Sequence, residues 1–154
     1  MSRASNAAIL FIAQGAYAGR SPVAPGTAGT LVGVLLQLGI KNSSPVICLL
    51  LIILVCIVGT WSAGRAEIML GKKDSPSIVI DEIAGFLVAM FMVPSGWGYL
   101  AAGFVLFRLL DVTKPWPLDG LQSVHGGLGI MIDDIGAGVY TNILLQLAAF
   151  IFAR

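Results

Sequence analysis

The sequence predicts an all-α, polytopic membrane protein that folds as one domain over residues 1–154. Of its 154 residues, 57% are hydrophobic and only 11% are charged. A water-soluble domain carries about a quarter charged residues, so this chain has too few to cover a soluble surface. Its longest uncharged runs also reach the length of a membrane span. We therefore expect a compact bundle with about five membrane-embedded helices.

Composition also excludes several functions. The formal net charge is +1, which lacks the basic excess of a nucleic-acid-binding domain, so no nucleic-acid partner is expected. Cys48 and Cys56 lie in an apolar run, where a thiol stays protonated and unreactive. We predict that both cysteines pack in the bundle and form neither a disulfide nor a metal site. The sequence leaves the oligomeric state open, and membrane lipid is the expected surrounding.

The first half of the chain contains two predicted crossings. Arg3 and the apolar stretch behind it fit a signal peptide, an interfacial helix or a packed first helix, and all three interpretations stay open. A helix is predicted over residues 28–40, after a loop rich in glycine and proline. Residues 45–64 form the clearest span, because about twenty apolar residues cross a 30 Å hydrocarbon core.

The second half contains three more predicted helices. Residues 78–93 and 98–110 are predicted as a helical hairpin, because turn-forming residues at 94–98 interrupt one uncharged run. The last helix is predicted over residues 135–153, with Arg154 as an interfacial anchor. These boundaries complete the five predicted crossings.

The distribution of basic residues predicts the orientation. If the helices alternate in direction, three polar loops share one side of the membrane, and residues 111–132 form the longest stretch without a helix. That side would hold Arg20, Arg65, Lys72, Lys73, Arg108 and Lys114, against Lys41 and Arg154 on the other. By the positive-inside rule, the first side is cytoplasmic. We therefore expect a site that is built from loops and faces the cytoplasm.

Six of the eight acidic residues fall in three short motifs, which contain Asp81 and Glu82, Asp111 and Asp119, and Asp133 and Asp134. A carboxylate beside hydrocarbon is costly unless it is paired or solvated, and the nearby cations are too few to pair them all. The cluster therefore predicts a divalent cation. With one histidine and no useful cysteine, the ligands are oxygens, which favours Mg²⁺ or Mn²⁺.

Each motif also has a plainer explanation. A single aspartate near a helix start can simply face the helix dipole, although three such motifs on one side favour a metal. Arg108 and Asp111, three residues apart, can form a simple ion pair. Lys114 precedes Pro115 and is expected to be aimed by the loop. His125 is either a general acid or an ordinary polar loop residue.

Two glycine-rich segments are candidates for binding a phosphate. Residues 25–30 are expected to lead into a helix over residues 31–40, and residues 126–129 precede the last helix. Backbone N–H groups at such positions bind phosphate oxygens, and the hydroxyls of Thr27 and Thr30 can add hydrogen bonds. A plain turn is the alternative for each segment.

Three parts of the chain carry motifs in a specific order. They read GRSPVAPGTAGTL, IDEIAGFLVAMFMVP, and FRLLDVTKPWPLD followed by HGGLGIMIDDIGAG. These segments include D-x-x-K-P-x-P and G-G-x-G-I-M-x-D-D-x-x-A-G. In them, from about Gly19 to Tyr140, the chain closely resembles the phosphatidylglycerophosphatase A family.

The resemblance implies a Mg²⁺-dependent lipid phosphatase of the bacterial inner membrane. Such an enzyme converts phosphatidylglycerophosphate into phosphatidylglycerol and inorganic phosphate. Taken with the acid pattern, it assigns catalytic roles to Asp81, Asp111, Asp134 and Lys114. The expected metal ligands are Glu82, Asp111, Asp133 and Asp134, with Asp81 as a further ligand or a general base. The expected phosphate contacts are Arg20, Thr27, Gly29, Lys114, Gly126 and Gly127.

Two other classes of function stay open at this point. A small cation-coupled transporter would also bury carboxylates, but its site is expected near the middle of the membrane. A scaffold for other membrane proteins would leave the acidic cluster unexplained. The chain has neither a Cys-x5-Arg loop nor an Asp-x-Asp-x-Thr motif, which excludes two covalent phosphatase mechanisms.

Overall fold

The computed structural model describes residues 3–116, 118–121 and 125–152. Within these ranges the chain is helical and contains no strand, which confirms the predicted all-α class. The helices are α1 (Arg3–Ala13), α2 (Pro25–Ile40), α3 (Pro45–Leu70), α4 (Ile80–Ala89), α5 (Trp97–Thr113), α6 (Leu118–Leu121) and α7 (Gly126–Phe152), with a 3₁₀ turn at Ala18–Arg20. Arg154, the predicted anchor, lies outside the described residues.

Helix α2 begins earlier than predicted. Pro25 is its first residue, a position where the missing N–H of proline is tolerated, and Ala24 before it is left-handed with φ 47°. The expected loop at residues 25–30 is therefore wrong. Its glycines serve close packing instead, because a Cβ on Gly29 would lie 2.6 Å from Cβ of Val79 on the segment that leads into α4.

Helix α3 begins at Pro45 as predicted but continues to Leu70, beyond the predicted end at residue 64. Ser44 accepts a hydrogen bond from the Ile47 N–H at 3.4 Å, and Gly71 ends the helix with φ 63°. The predicted hairpin is present as α4 and α5. Helix α4 is shorter than residues 78–93, and α5 is longer than residues 98–110.

Most of the described residues between 111 and 132 are helical, so the predicted long non-helical stretch is wrong. Helix α5 extends to Thr113, and Lys114 ends it with φ 40° just before Pro115. Helix α7 begins at Gly126 rather than at residue 135. The glycines at its start let it cross α3, because a Cβ on Gly127 would lie 1.9 Å from the Thr60 carbonyl oxygen.

Within the described ranges, α3 and α7 have the length and the apolar composition of a membrane span. They contain 26 and 27 residues, and at 1.5 Å per residue each is about 40 Å long. The apolar helices α1 and α2 are shorter. Large apolar side chains on the outside of α3 and α7 are exposed, as expected for helices in contact with lipid.

Helix α4 forms the centre of the bundle. It is buried along most of its length and packs most extensively against α7, then against α2 and α3. Its first turn is held by α1, because the Val79 N–H donates to the Ala13 carbonyl at 2.9 Å. The short helix therefore presents its acidic N-terminal turn at one end of the bundle.

Candidate active site

A cleft of about 310 Å³ opens at the end of the bundle where α2, α4 and α7 begin and where α3 and α5 end. Its charged lining comes from all of these elements except α2, and from the loop before α4. The charged residues are Glu67, Lys73, Asp74, Asp81, Glu82, Arg108, Asp111, Lys114, Asp133 and Asp134. The cleft is therefore strongly polar in a chain that is mostly apolar.

Three carboxylates form the centre of the cleft. Asp81, Glu82 and Asp134 each offer an oxygen, and these oxygens lie within 4.8 Å of one another. Asp81 is 8% exposed and Asp134 is 3% exposed. Within the described residues, Asp81 Oδ1, Glu82 Oε2 and Asp134 Oδ2 are buried and have no hydrogen-bond partner. Three carboxyl groups this close, each with one buried oxygen that lacks a hydrogen-bond partner, call for a bound cation.

Helix packing brings these acids together. Gly85 follows Asp81 by one turn, and Gly138 follows Asp134 by one turn. A Cβ on Gly138 would lie 2.3 Å from the Gly85 carbonyl oxygen, so the two backbones touch. Because any side chain here would separate α4 from α7, the glycine pair determines how closely the acids approach.

Arg108 forms an ion pair with Asp111 and also lies near Glu82. Arg108 Nη1 lies 2.5 Å from Asp111 Oδ2 on the same helix, and 3.7 Å from Glu82 Oε1 on α4. Gly26 leaves room for this arrangement, since a Cβ there would lie 2.2 Å from Glu82 Oε1 and 3.1 Å from Arg108 Nη1. Arg108 therefore bridges two acids of the cleft, beside the first turn of α2.

Lys114 pairs with Asp133 across the cleft, through a direct contact between Nζ and Oδ2. Burial by itself would lower the pKa of Lys114. The hydrogen bond and charge of Asp133, with the charges of Asp134 and Asp111, outweigh burial and raise that pKa. Asp133 Oδ1 also accepts the Asp134 N–H at 3.1 Å. Lys114 is therefore held as a cation at the cleft.

The acidic residues of the site lie in helices, whereas a site built from loops was expected. Asp81, Glu82, Asp111, Asp133 and Asp134 all lie within helices, so the expectation of a site built from loops is wrong for these residues. Asp133 and Asp134 lie in the interior of α7 rather than at its start. The cause is the early start of α7, whose glycine-rich first turn is helical and packs against α3.

Several residues that were predicted to contact the phosphate do not line the cleft. Lys114 and Gly126 line it, whereas Thr27, Gly29 and Gly127, all described, do not. Arg20 is also outside the lining. Its Nε donates to Gln14 Oε1 at 2.8 Å, and its guanidinium stacks on the Tyr17 ring at 4.1 Å.

The cleft also contains residues that were not among the predicted site residues. Arg108 was predicted either as a cation for the phosphate or as a simple ion-pair partner of Asp111. Gly26 and Gly129 lie in the two candidate glycine segments, and Lys73 lines the cleft without having been singled out. For Arg108 the available signal was its spacing of three residues from Asp111. No sequence pattern distinguished Lys73, because it lies beside Lys72 in a polar loop.

The buried trio fits a divalent cation. Asp81, Glu82 and Asp134 supply oxygens that are close together, buried and otherwise unpartnered, which is the donor set of a hard metal such as Mg²⁺. Asp111 and Asp133, the other predicted ligands, are paired with Arg108 and Lys114 instead. Carboxylates for a metal and cations for an anion therefore line one cleft.

The fold and the cleft together define a class of protein. A helical bundle with two helices of span length, and with buried acids between an arginine and a lysine, is suited to a membrane enzyme that acts on phosphate esters. The sequence model of the family described as phosphatidylglycerophosphatase A matches residues 11–149. The chain belongs to this family and is a lipid phosphatase, which confirms the predicted resemblance.

Two curated relatives carry the name of this family, and a third is named for another lipid. The phosphatidylglycerophosphatase A of Escherichia coli (strain K12) is 38% identical over 130 residues, covering 83% of this chain and 76% of the relative. That of Haemophilus influenzae is 35% identical, covering 89% of this chain and 86% of the relative. A Bacteroides thetaiotaomicron protein with the provisional name phosphatidylinositol-3-phosphatase is 35% identical, covering 92% and 94%. No solved structure matches this chain.

Proposed function

We propose that the protein hydrolyses phosphatidylglycerophosphate to phosphatidylglycerol and inorganic phosphate with the help of Mg²⁺. Water supplies the oxygen that ends on phosphate, and the glycerol oxygen leaves with a proton. The observation that carries the proposal is the trio of Asp81, Glu82 and Asp134, whose buried oxygens lack partners within the described chain. The family and two of its named relatives support the choice of substrate.

The trio would hold the metal. When bound, Mg²⁺ neutralises phosphate charge and lowers the pKa of a bound water. Asp81 and Asp134 approach from different helices, so the position of the ion would depend on how α4 packs against α7. Asp81 Oδ1 is also free to accept a proton from an attacking water, as the sequence suggested.

Arg108 and Lys114 would bind the phosphate group. Each carries N–H donors beyond those that contact Asp111 and Asp133, and each lines the cleft. Charge-assisted hydrogen bonds of this kind stabilise the charge that develops on phosphate oxygens. Arg20, Thr27, Gly29 and Gly127 do not line the cleft, and the last three lie within helices, so the proposal assigns the phosphate contacts to Arg108 and Lys114.

The membrane arrangement follows from helix lengths and charges. Helices α3 and α7 would cross the bilayer, and α2, α4 and α5 would complete a set of five embedded helices around them. The basic residues near the cleft would then face the cytoplasm of a bacterial inner membrane, by the positive-inside rule. The acyl chains of the substrate would stay in lipid while its headgroup enters the cleft.

The test is phosphate release by the purified protein in detergent. We expect Mg²⁺-dependent release from phosphatidylglycerophosphate, loss of release with a chelator, and recovery when Mg²⁺ is restored. Phosphatidylinositol 3-phosphate is the competing substrate, because one relative carries that provisional name. Faster release from that lipid would overturn the proposed substrate, and unchanged release under chelation would overturn the role of the metal.

A further inference from the structure

Helix α4 ends at Ala89, beside an apolar depression, and the last carbonyl groups of the helix need partners. The final carbonyls of any helix have no N–H donor within that helix. The depression has a volume of about 220 Å³, lies beside Asn142 and is lined by Leu49, Ile52, Val88, Phe91 and Val139.

Asn142 on α7 supplies the main donors, and Gln146 Nε2 adds a longer bond of 3.5 Å to the Phe91 carbonyl. Its Nδ2 donates to the Ala89 carbonyl at 3.0 Å and to the Phe91 carbonyl at 2.7 Å. Its Oδ1 accepts a hydrogen bond from Gln146 Nε2 at 2.8 Å. All of the amide's polar atoms are therefore used, and its two donated bonds tie α7 to the last residue of α4 and to the turn that follows it.

The position of Asn142 matches the register of the two helices. On α7, Asp134, Gly138 and Asn142 are spaced by four residues and share one face. On α4, Asp81, Gly85 and Ala89 have the same spacing. The acids meet at one level, the glycines touch at the next, and Asn142 bonds to Ala89 at the third.

The acidic level and the Asn142 level have opposite effects on how closely α4 packs against α7. Repulsion within the acidic trio pushes the beginning of α4 away from α7, because its oxygens lack partners within the described chain. The Gly85 and Gly138 contact allows close approach but adds no side-chain bond. The Asn142 hydrogen bonds resist both separation and sliding of α4 along α7.

We propose that Asn142 is a positioning residue, which keeps α4 in register with α7 and so holds Asp81 next to Asp134 two turns away. The inference rests on the proposed function, because it concerns the geometry of the same metal-binding acids. Asn142 contacts neither the cleft nor the phosphate, so it acts only through α4.

The test compares Asn142→Leu, Asn142→Gln and the control Thr141→Val in detergent. Thr141 is buried one position earlier, but its hydroxyl bonds within α7 to the Ala137 carbonyl at 2.8 Å. Binding of Mn²⁺ alone is measured by paramagnetic resonance, without substrate. Phosphate release is measured against Mg²⁺ and lipid concentration. Asn142→Ser retains one hydrogen-bond donor, and it replaces Asn142→Leu in the comparison if that variant does not fold.

We expect Asn142→Leu to weaken Mn²⁺ binding and to raise the half-saturating Mg²⁺ concentration, each by about tenfold or more, as is typical for residues that support metal ligands. The KM for lipid at saturating Mg²⁺ should stay within about twofold of wild type, because substrate contacts are untouched. Asn142→Gln or Asn142→Ser should recover part of the binding, and Thr141→Val should match wild type.

Three results would overturn the inference, and they are distinguishable. If the wild type binds Mn²⁺ and Asn142→Leu binds it equally well, Asn142 has no positioning role although the proposed function stands. If the wild type itself binds no Mn²⁺, the metal assignment and the positioning role fail together. An equal loss in Thr141→Val would show a general disturbance of α7 and would also overturn it.

Discussion

Arg108 Nη1 lies 2.5 Å from Asp111 Oδ2, three residues further along α5, and this ion pair extends to Glu82 on α4. A pair at this spacing is common on isolated helices, where it contributes little. In this protein it lies in a cleft among further acids. The pair therefore joins the end of α5 to the acidic start of α4.

Replacement of Arg108 should impair catalysis strongly. Arg108→Gln removes the cation that Asp111 and Glu82 share and a donor to the phosphate, so kcat/KM should fall by about a hundredfold or more. Steady-state phosphate release measures this fall in kcat/KM. Arg65→Gln is the matched control, because Arg65 is exposed and lies outside the cleft lining. An equal loss in both variants would remove Arg108 from the site.

Replacement of Asp134 should reduce activity and increase the stability of the metal-free protein. Asp134→Asn removes one of three repelling carboxylates, so the melting temperature without metal should rise while activity falls at least about a hundredfold. Mg²⁺ should raise the melting temperature of the wild type and have little effect on the variant. Asp119→Asn, an exposed acid outside the cleft lining, is the control. Full activity in Asp134→Asn would contradict the metal assignment.

Lys114 should stay charged through the working pH range. Asp133 and neighbouring acids raise its pKa above the ordinary value of 10.5, despite burial that acts in the opposite direction. A lysine with a raised pKa stabilises the fold below its unfolded pKa and loses that contribution only as pH rises through the higher folded value. The pH profile of kcat/KM should therefore show no falling limb from Lys114 between about pH 7 and 9.

The same lysine should contribute to substrate handling. Lys114→Ala should lower kcat/KM by about tenfold or more, since it removes a phosphate donor and leaves Asp133 without its partner. Lys114→Arg keeps the charge and should recover part of the activity. Substrate kinetics are measured together with thermal unfolding, and normal kinetics in Lys114→Ala would exclude the lysine from the site.

Lys73 should assist binding of the lipid headgroup, which carries a phosphodiester as well as the reacting phosphate. It lines the cleft, whereas its neighbour Lys72 does not. Because Lys73 is exposed, its loss in Lys73→Ala should raise the KM by only about two- to fivefold. Glycerol 3-phosphate, which lacks the diester, should be turned over equally by wild type and variant. Equal effects of Lys72→Ala and Lys73→Ala would contradict this role.

Local patterns in the sequence predicted much of the fold. The apolar runs located α3, the α4 and α5 hairpin and the last helix, because helix formation depends on neighbouring residues and on the bilayer. The predicted helix boundaries were wrong where glycines occur. A glycine-rich segment in isolation is typical of a turn, but residues 25–30 and 126–129 are helical, with Gly29 packed against Val79 and Gly127 against the Thr60 carbonyl.

The sequence by itself determined the class of chemistry, since it holds the acids, the basic residues and the order of motifs that mark the family. Only the tertiary structure decided which acids meet. Asp133 and Asp134 point about 100° apart on one helix, and the packing of α7 against α4 turns Asp134 toward Asp81 and Asp133 toward Lys114. It also placed Arg108, rather than Arg20, in the cleft. Such pairings join residues far apart in the chain, so they depend on close helix contacts that no local pattern encodes.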